Sequence, residues 1–336
     1  MNDLFTLTRQ LIDIESITPN EKAVAEFLEI RLQDLARRFN GRVERMDVEP
    51  NRFNLLATFD APVVTLSTHL DTVPPFIPSR EDDDNIWGRG ACDVKGIIAS
   101  MVFAAERLLA AGERRIALLF VVGEERNSAG AYFAAKHPRG SKFLINGEPT
   151  ENKLAVGSKG ALRYEFIASG RMAHSAYPEL GDSAIDKLLA ALDTVRHIKL
   201  ENDPRLGPST INIGTLTGGR APNVIADHAK AELFIRLVDD GATTRTRVQE
   251  AVTGVEVKEV LCIPAVQMGT LPGFETMVAK YTTDIPAFGG AWGEPYLIGP
   301  GTIHVAHTER EHVPKAQLVA AVSVYESIVK QLLQGN

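Results

Sequence analysis

The chain has 336 residues, of which 44% are hydrophobic and 24% charged, a composition typical of a soluble globular protein long enough for two domains. Its net charge is -7 and it has no block of basic residues, so neither nucleic acid nor an anionic membrane is expected as a partner. The two cysteines, Cys92 and Cys262, are too far apart in sequence to indicate a disulfide scaffold or a thiolate zinc site. No basic leader and no 18-residue apolar run is present, which leads us to expect a cytoplasmic protein.

The first half of the chain alternates predicted helices and strands. In chain order, the apolar spacing predicts helices at 4–12 and 21–39, strands at 54–59 and 63–68, a helix at 96–111, a strand at 116–122, a helix at 128–136 and a strand at 143–146. Acidic residues follow several of these strands. This pattern is typical of an α/β sheet, whose ligands bind at the carboxyl ends of the strands.

The pattern changes near residue 159. Residues 161–263 predict the order strand, helix, strand, strand, helix, strand, with strands at 161–169, 209–216, 226–238 and 255–263 and helices at 183–198 and 243–252. A closing helix is predicted at 314–333. Because residues on both sides of this middle segment belong to one candidate site, we predict a discontinuous domain, 1–158 and 265–336, with an inserted domain at 159–264.

Five metal-binding side chains stand at or just after predicted strands, namely His69, Asp93, Glu125, Glu148 and His307. Two imidazoles and three carboxylates suit two divalent ions that share one carboxylate. Zinc fits this mixed set best, and cobalt or manganese would fit the same donors. Spacing alone does not choose between His307 and its neighbours His304 and His312.

Two further carboxylates have a role beside these donors. Glu124 is next to Glu125, and two adjacent carboxylates near a core repel each other unless a cation or a shared proton offsets them. Glu124 could therefore take a proton from a metal-bound water. Asp71 lies two residues after His69 on an extended strand, so it can accept a hydrogen bond from the ring nitrogen that faces away from a metal. The alternatives are a helix N-cap for Asp93 and a solvated loop for the glutamates.

Several sequence blocks resemble one family of di-zinc deacylases and exopeptidases. The family includes acetylornithine deacetylase, succinyl-diaminopimelate desuccinylase, the acetyl-lysine and acetyl-citrulline deacetylases and carboxypeptidase G. The matching blocks are, in order, S-T-H-L-D-T-V-P, W-G-R-G-A-C-D-V-K-G, G-E-E, N-G-E-P-T, G-R-M-A-H-S-A-Y-P, A-P-N-V-I-A-D, F-I-R-L and G-P-G-T-I-H-V-A-H-T-E-R-E. They span nearly the whole chain, and several blocks in order are more specific than one motif.

The resemblance implies a role for each candidate. Asp93 would bridge two ions. His69 and Glu148 would complete the shell of one ion, and Glu125 and His307 that of the other. Glu124 would be the general base, with Asp71 orienting His69. The implied fold is a zinc-aminopeptidase-like α/β/α catalytic domain carrying an inserted ferredoxin-like βαββαβ lid.

The same resemblance assigns residues to the inserted lid. His174 would stabilise the oxyanion, from its own subunit or from a partner subunit, and Asn223 and Arg236 would contact the substrate or its carboxylate. Residues 159–160 match the hinge, and the lid is expected to form a homodimer. The expected activity is hydrolysis of the amide bond of an N-acyl amino acid, with acetyl as the expected acyl group. A dipeptidase or aminopeptidase, or a succinyl-diaminopimelate desuccinylase, is the alternative within the family.

Overall fold

The computed structural model of the protein describes residues 2–334, which form two compact units. The first unit extends to Val156, resumes at Met268–Met277 and continues from Thr283. The second unit comprises Gly157–Gln267 and Val278–Thr282. The backbone N–H of Lys159 donates to the carbonyl oxygen of Ala279 at 2.8 Å, which ties the short return segment to the second unit. Nothing in the composition of that segment marks it in the sequence as part of the second unit.

The described chain contains the predicted strands and helices, together with several mostly short elements that the apolar spacing did not predict. The strands are, in chain order, β1 (Arg42–Glu49), β2 (Arg52–Thr58), β3 (Val64–His69), β4 (Arg80–Glu81), β5 (Asn85–Trp87), β6 (Ile116–Val121), β7 (Phe143–Asn146), β8 (Leu154–Ser158), β9 (Gly160–Ser169), β10 (Asn202–Asp203), β11 (Gly207–Pro208), β12 (Thr210–Gly218), β13 (His228–Leu237), β14 (Glu256–Ile263), β15 (Val266–Gln267), β16 (Thr276–Ala279), β17 (Glu294–Leu297) and β18 (His312–Pro314). The helices are α1 (Asn2–Ile12), α2 (Lys22–Arg38), α3 (Gly96–Ala110), α4 (Ala129–Ala135), α5 (Ala184–Arg196), α6 (Ala242–Ala251), α7 (Ile285–Phe288) and α8 (Lys315–Gln334).

The first unit is built around a six-stranded sheet of order β1-β2-β6-β3-β7-β17. Strand β3 is parallel to β6 and β7, and β17 is parallel to β7, whereas β1 and β2 are antiparallel to their neighbours. Side chains of β6 alternate between two cores. Leu118 and Phe120 pack with residues of α1, α2, α3 and α8, and Leu119 and Val121 pack with residues of α4 and α7. The sheet therefore lies between two helical layers, which confirms the predicted α/β/α architecture.

The carboxyl ends of three neighbouring strands carry the candidate site. Strands β6, β3 and β7 are adjacent and parallel, so their last residues meet at one edge of the sheet. His69 ends β3, Glu125 follows β6 and Glu148 follows β7. Ligands bind at this edge in open α/β sheets.

The second unit contains a four-stranded antiparallel sheet of order β12-β13-β9-β14. Its apolar side chains form one core with those of α5 and α6. The order β9, α5, β12, β13, α6, β14 confirms the predicted ferredoxin-like βαββαβ arrangement. Helix α5 begins after an N-cap residue, Ser183, whose Oγ accepts a hydrogen bond from the backbone N–H of Asp186 at 3.2 Å.

Strand β1 was not predicted. It is an edge strand, and Met46 alone among its residues is fully buried. Its sequence, R-V-E-R-M-D-V-E, is too charged to show the apolar run that marked its neighbours, since an edge strand needs little burial to pair. No helix within residues 2–334 is long and apolar enough to cross a membrane.

Candidate metal centre

His69 lies at the end of the buried strand β3 with its ring held from one side. Its Nδ1 is 3.0 Å from the backbone oxygen of Asp71 and 3.5 Å from that residue's Oδ1. The backbone oxygen, rather than the carboxylate that the sequence suggested, is thus the nearer partner of the ring. The Nε2 atom points the other way and lies 3.2 Å from Oδ1 of Asp93. Such an outer-shell contact at one ring nitrogen leaves the other free to bind a metal.

Asp93 lies between the two candidate imidazoles. It lies in the kinked turn Ala91–Lys95 that precedes α3, where its own backbone is not helical (φ −125°, ψ 79°), and the residue is 5% exposed. Its Oδ1 is 3.2 Å from Nε2 of His69, and its Oδ2 is 3.2 Å from Nε2 of His307. Each carboxylate oxygen therefore faces a different imidazole, which is the arrangement that a bridging ligand requires.

The remaining donors complete two groups around Asp93. Nε2 of His307 lies 3.1 Å from both carboxylate oxygens of Glu125. Glu148 is buried, and its Oε1 has no hydrogen-bond partner among residues 2–334. Ligand atoms of His69, Asp93 and Glu148 lie within 4.8 Å of one another, as do those of Asp93, Glu125 and His307.

These donors fit two divalent cations. Burial, followed by the charge of Asp93, raises the pKa of Glu148 well above its ordinary value. A buried carboxylate with an unpaired oxygen among other carboxylates is unfavourable unless protons or cations offset the charge. Imidazole and carboxylate together are the ligands of zinc and of similar transition metals.

Only one of the three neighbouring histidines faces the carboxylates. His304 is exposed, and no hydrogen bond or ion pair within residues 2–334 joins its ring to these donors. His312 directs its Nδ1 to the backbone oxygen of Arg310 at 2.8 Å and packs on Trp87 with ring centroids 4.3 Å apart. His307 is thus the histidine that the fold brings to Asp93, a choice that spacing alone left open.

Asp71 organises the loop that follows β6. Its carboxylate accepts hydrogen bonds from the hydroxyl of Thr18 at 2.7 Å and from the backbone N–H groups of three successive residues at 3.0–3.1 Å, namely Gly123, Glu124 and Glu125. Burial raises the pKa of Asp71, but the hydrogen bonds and charge of His69 outweigh it and hold the pKa below its ordinary value. An ionised Asp71 therefore fixes the backbone of both glutamates.

Glu124 is partly buried and lies in a strongly acidic environment. Burial raises its pKa well above the ordinary value, His69 opposes the shift, and the charges of Glu148, Asp284 and Glu125 add to it. A carboxyl group that holds a proton readily is suited to accept one from water.

Asp284 is a further acidic residue of this region, and it was not among the predicted site residues. It precedes α7 and is 1% exposed, and neither of its carboxylate oxygens has a hydrogen bond of good geometry among the described residues. Burial raises its pKa to about 7, with the charge of His69 and the hydroxyl of Ser128 opposing the shift and the charges of Asp71 and Glu125 adding to it. The T-D-I-P sequence gave no sign of this burial.

The three remaining predicted residues lie in the second unit. His174 is exposed, and its Nδ1 accepts a hydrogen bond from the backbone N–H of Ala176 at 3.1 Å, so a neutral ring carries its proton on Nε2. The backbone oxygen of Asn223 accepts from the N–H of Ser175 at 3.0 Å, which places these two loops side by side. Arg236 lies on β13 with its guanidinium 4.7 Å from the ring of Phe234.

Known proteins resemble the chain along its length. A peptidase M20 domain-containing protein of Schizosaccharomyces pombe is 38% identical over 340 residues, covering 98% of this chain and 84% of the relative. A probable carboxypeptidase of Aspergillus fumigatus is 36% identical over 388 residues, covering 99% of this chain and 87% of the relative.

Solved structures share the fold at lower identity. The aminopeptidase PepT of Bacillus cereus has a TM-score of 0.82 and 20% identity, with 99% of this chain and 98% of that chain covered. A dinuclear metal-binding peptidase of the M20 family from Bacillus subtilis has a TM-score of 0.68 and 15% identity, with coverage of 97% and 96%.

The sequence profile of peptidase family M20/M25/M40 matches residues 65–331, which include all five candidate donors. The relatives compared above are named as peptidases, so the narrower resemblance to acetylornithine deacetylase stays a prediction. The sequence identity to these relatives extends along the chain, and the fold is shared with solved structures of the family. Both findings agree with the metal-binding geometry. The chain belongs to peptidase family M20/M25/M40 and is a hydrolase of that metallopeptidase family.

Proposed function

We propose that the protein is a two-metal amidase that releases the acyl group from an N-acyl amino acid. The proposed acyl group is acetyl. The observation that supports this most is the placement of Asp93, whose two oxygens each face one imidazole at 3.2 Å. His69 and Glu148 would hold one ion with Asp93, and Glu125 and His307 the other. Zinc is the proposed metal, with cobalt or manganese able to use the same donors.

The proposed reaction adds water to the amide carbonyl and breaks the bond between carbonyl carbon and nitrogen. When bound, the two ions lower the pKa of water and polarise the carbonyl oxygen. Glu124 accepts the proton that water loses and passes it to the leaving nitrogen, so the products are a carboxylate and a free amine. Asp71 keeps Glu124 in place through the backbone hydrogen bonds described above.

The second unit supplies the proposed substrate contacts. His174 would donate from Nε2 to the oxyanion that forms on the carbonyl oxygen, because its Nδ1 already accepts a hydrogen bond. Arg236 would bind the carboxylate of the amino acid. Its Nη1 is buried without a hydrogen-bond partner among residues 2–334. A substrate carboxylate could accept the hydrogen bonds that this guanidinium leaves unused. Asn223, beside the His174 loop, would contact the same substrate.

A carboxypeptidase is the second candidate, favoured by the names of the fungal relatives. The two activities share one chemistry, since both release an amino acid with a free carboxylate and differ only in the acyl group. Succinyl-diaminopimelate desuccinylase also fits this scheme. A dipeptidase or aminopeptidase instead requires a free amino group on the acyl side of the amide bond.

A substrate panel tests the proposal. Metal-free protein, reloaded with zinc, is assayed for free amine released from N-acetyl amino acids, N-blocked dipeptides and unblocked dipeptides, each with a free or an amidated carboxyl end. We expect turnover of N-acetyl substrates with a free carboxylate, loss on chelation and loss on amidation.

Three other results are informative. Turnover of N-blocked dipeptides alone would favour the carboxypeptidase. Turnover of unblocked dipeptides alone would favour a dipeptidase or aminopeptidase. No turnover of any amide by protein with a full metal complement would contradict the proposed activity.

A further inference from the structure

The first unit contains a buried ion pair that the proposed reaction does not use. Nη1 of Arg89 donates to Oε2 of Glu311, and the two side chains are 2% and 1% exposed. A buried pair of this kind adds little net stability, because removing two charges from water offsets most of their attraction. Its other contacts are therefore more informative about its role.

Glu311 binds the backbone of the segment that leads to Asp93. Its Oε1 accepts hydrogen bonds from the N–H of Gly90 at 2.8 Å and from the N–H of Asp93 at 3.3 Å. Its backbone oxygen accepts from the N–H of Gly88 at 3.1 Å. Nη1 of Arg89 also lies 3.4 Å from the backbone oxygen of Thr308. Residues 88–93 are thus joined to residues 308–311 at several points.

The geometry at Gly90 is specific to this attachment. Its φ of +88° is a conformation that residues with a side chain rarely adopt, and a Cβ there would lie 2.9 Å from the side chain of Lys95. The backbone N–H of Gly90 is one of the two that donate a hydrogen bond to Oε1 of Glu311. The segment therefore turns so that the N–H groups of Gly90 and Asp93 face the same carboxylate oxygen.

The joined segments each carry one candidate ligand of the same ion. Asp93 ends the first segment, and His307 directly precedes the second. His307 has a side chain that is half exposed, so packing alone does not fix it. Oδ2 of Asp93 nevertheless lies 3.2 Å from Nε2 of His307. The attachment through Arg89 and Glu311 joins the two parts of the chain that carry these residues, which are 214 positions apart in sequence.

We propose that Arg89 and Glu311 are positioning residues that hold Asp93 and His307 at a metal-binding separation before an ion arrives. The inference rests on the two-ion centre of the proposed function. In the group of Asp93, Glu125 and His307, Asp93 lies on one joined segment and His307 directly beside the other, whereas in the other group only Asp93 has such a place. The pair should therefore control mainly the affinity for the ion held by His307.

Zinc titration of the metal-free protein tests this without substrate. Competition with a chromophoric chelator gives two stepwise dissociation constants for the wild type. In Arg89→Gln and Glu311→Gln we expect one constant to weaken by about 10–100-fold, the usual effect of removing an outer-shell partner, and the other to change by less than about threefold. Arg89→Lys, which retains a cation, should restore part of the affinity.

The affected ion is identified with a double variant. In a His307→Ala background, Arg89→Gln should weaken zinc binding no further, because the ion it supports is already lost. Arg31→Gln is the control, since it breaks another Arg–Glu pair of the first unit, 2.7 Å between Nη2 of Arg31 and Oε2 of Glu106, which joins α2 to α3. Both zinc constants should be unchanged in that control.

Unchanged zinc constants in the folded Arg89 and Glu311 variants would overturn the inference. So would equal weakening of both constants in proportion to a loss of thermal stability, the result of a merely structural role. Should Arg89→Gln not fold, Glu311→Gln and Arg89→Lys carry the comparison, since each keeps the shape or the charge of the original. A single zinc constant in the wild type would overturn the inference together with the two-ion centre, whereas missing amide hydrolysis with both constants intact counts only against the proposed function.

Discussion

Asp71 shows how one residue connects the sheet to the proposed chemistry. Its backbone oxygen lies within hydrogen-bond distance of Nδ1 of His69. Its carboxylate accepts hydrogen bonds from three backbone N–H groups of the loop that carries Glu124 and Glu125. A ligand and the proposed base are thus held by the same buried side chain. Fixed geometry of this kind is what lets a proton move in one step rather than after a search for the right rotamer.

Glu124→Ala should keep both ions and lose nearly all turnover, because the proposed base contacts water and not the metal. Removing a general base typically slows the reaction by about 10²–10⁴-fold. Elemental analysis and kcat on the same preparation provide the check. An active variant, or one that lost its metal, would show that the base has been assigned wrongly.

His307→Ala should lower the metal content from two ions toward one, because this side chain faces two carboxylates. His304→Ala should leave the content unchanged, since its ring is exposed and forms no hydrogen bond or ion pair with the donors in the part of the chain that the structure describes. Both variants are measured by elemental analysis after gel filtration. The opposite pattern would mean that the wrong histidine has been chosen.

Asp284 gives a pH prediction for the metal-free protein. The folded state keeps this proton up to about pH 7, whereas an unfolded chain loses it near pH 4. Between these values the folded state binds more protons, so the contribution of this carboxyl to stability is largest below about pH 4 and is lost as the pH rises to 7. Asp284→Asn should reduce this loss, by roughly 5 °C in Tm at pH 7. An equally steep decline in the variant would contradict the assignment.

Four of the five donors could be predicted from local pattern, because His69, Glu125 and Glu148 follow apolar strands and Asp93 precedes a helix. His307 was distinguished from its neighbouring histidines only by the family resemblance. Asp284 and Glu311 could not be predicted. Both are surrounded by polar or turn-forming residues in sequence, and their burial depends on segments far away in the chain. Burial of a single acidic residue by tertiary packing leaves no local signal.

At the scale of elements, strand order decides which residues meet. The adjacency of β6, β3 and β7 brings His69, Glu125 and Glu148 to one edge, although other elements separate them in sequence. The apolar runs predicted these strands well. Strand β17, which extends the sheet beyond β7, was missed because its four residues, E-P-Y-L, are too short and too mixed to stand out.

The loop between β9 and α5 carries the prediction for His174. Replacing His174 with Ala should leave folding and metal content intact. It should slow the chemical step by about 10²–10³-fold, the usual effect of losing one oxyanion donor. Single-turnover kinetics separate this from product release. Full activity of the variant would remove His174 from the mechanism.

At the scale of the whole molecule, we propose that the second unit forms a homodimer. Strand β12 is the edge of its sheet and is mostly exposed, with Leu216 49% exposed, and an unpaired edge of this kind can accept another chain. Co-expressed His174→Ala and Glu124→Ala chains would then regain some activity if His174 acts on a partner subunit. If heterodimers were shown to form and were inactive, His174 would act in the active site of its own subunit.

Anomalous X-ray scattering at the zinc edge, on crystals of the zinc-loaded protein, tests the two-ion centre most directly. We predict two peaks roughly 3.5–4 Å apart, one beside each carboxylate oxygen of Asp93, with His69 and Glu148 at one and Glu125 and His307 at the other. Asp93→Asn should weaken both peaks. A single peak in the wild type, or peaks away from Asp93, would contradict the account.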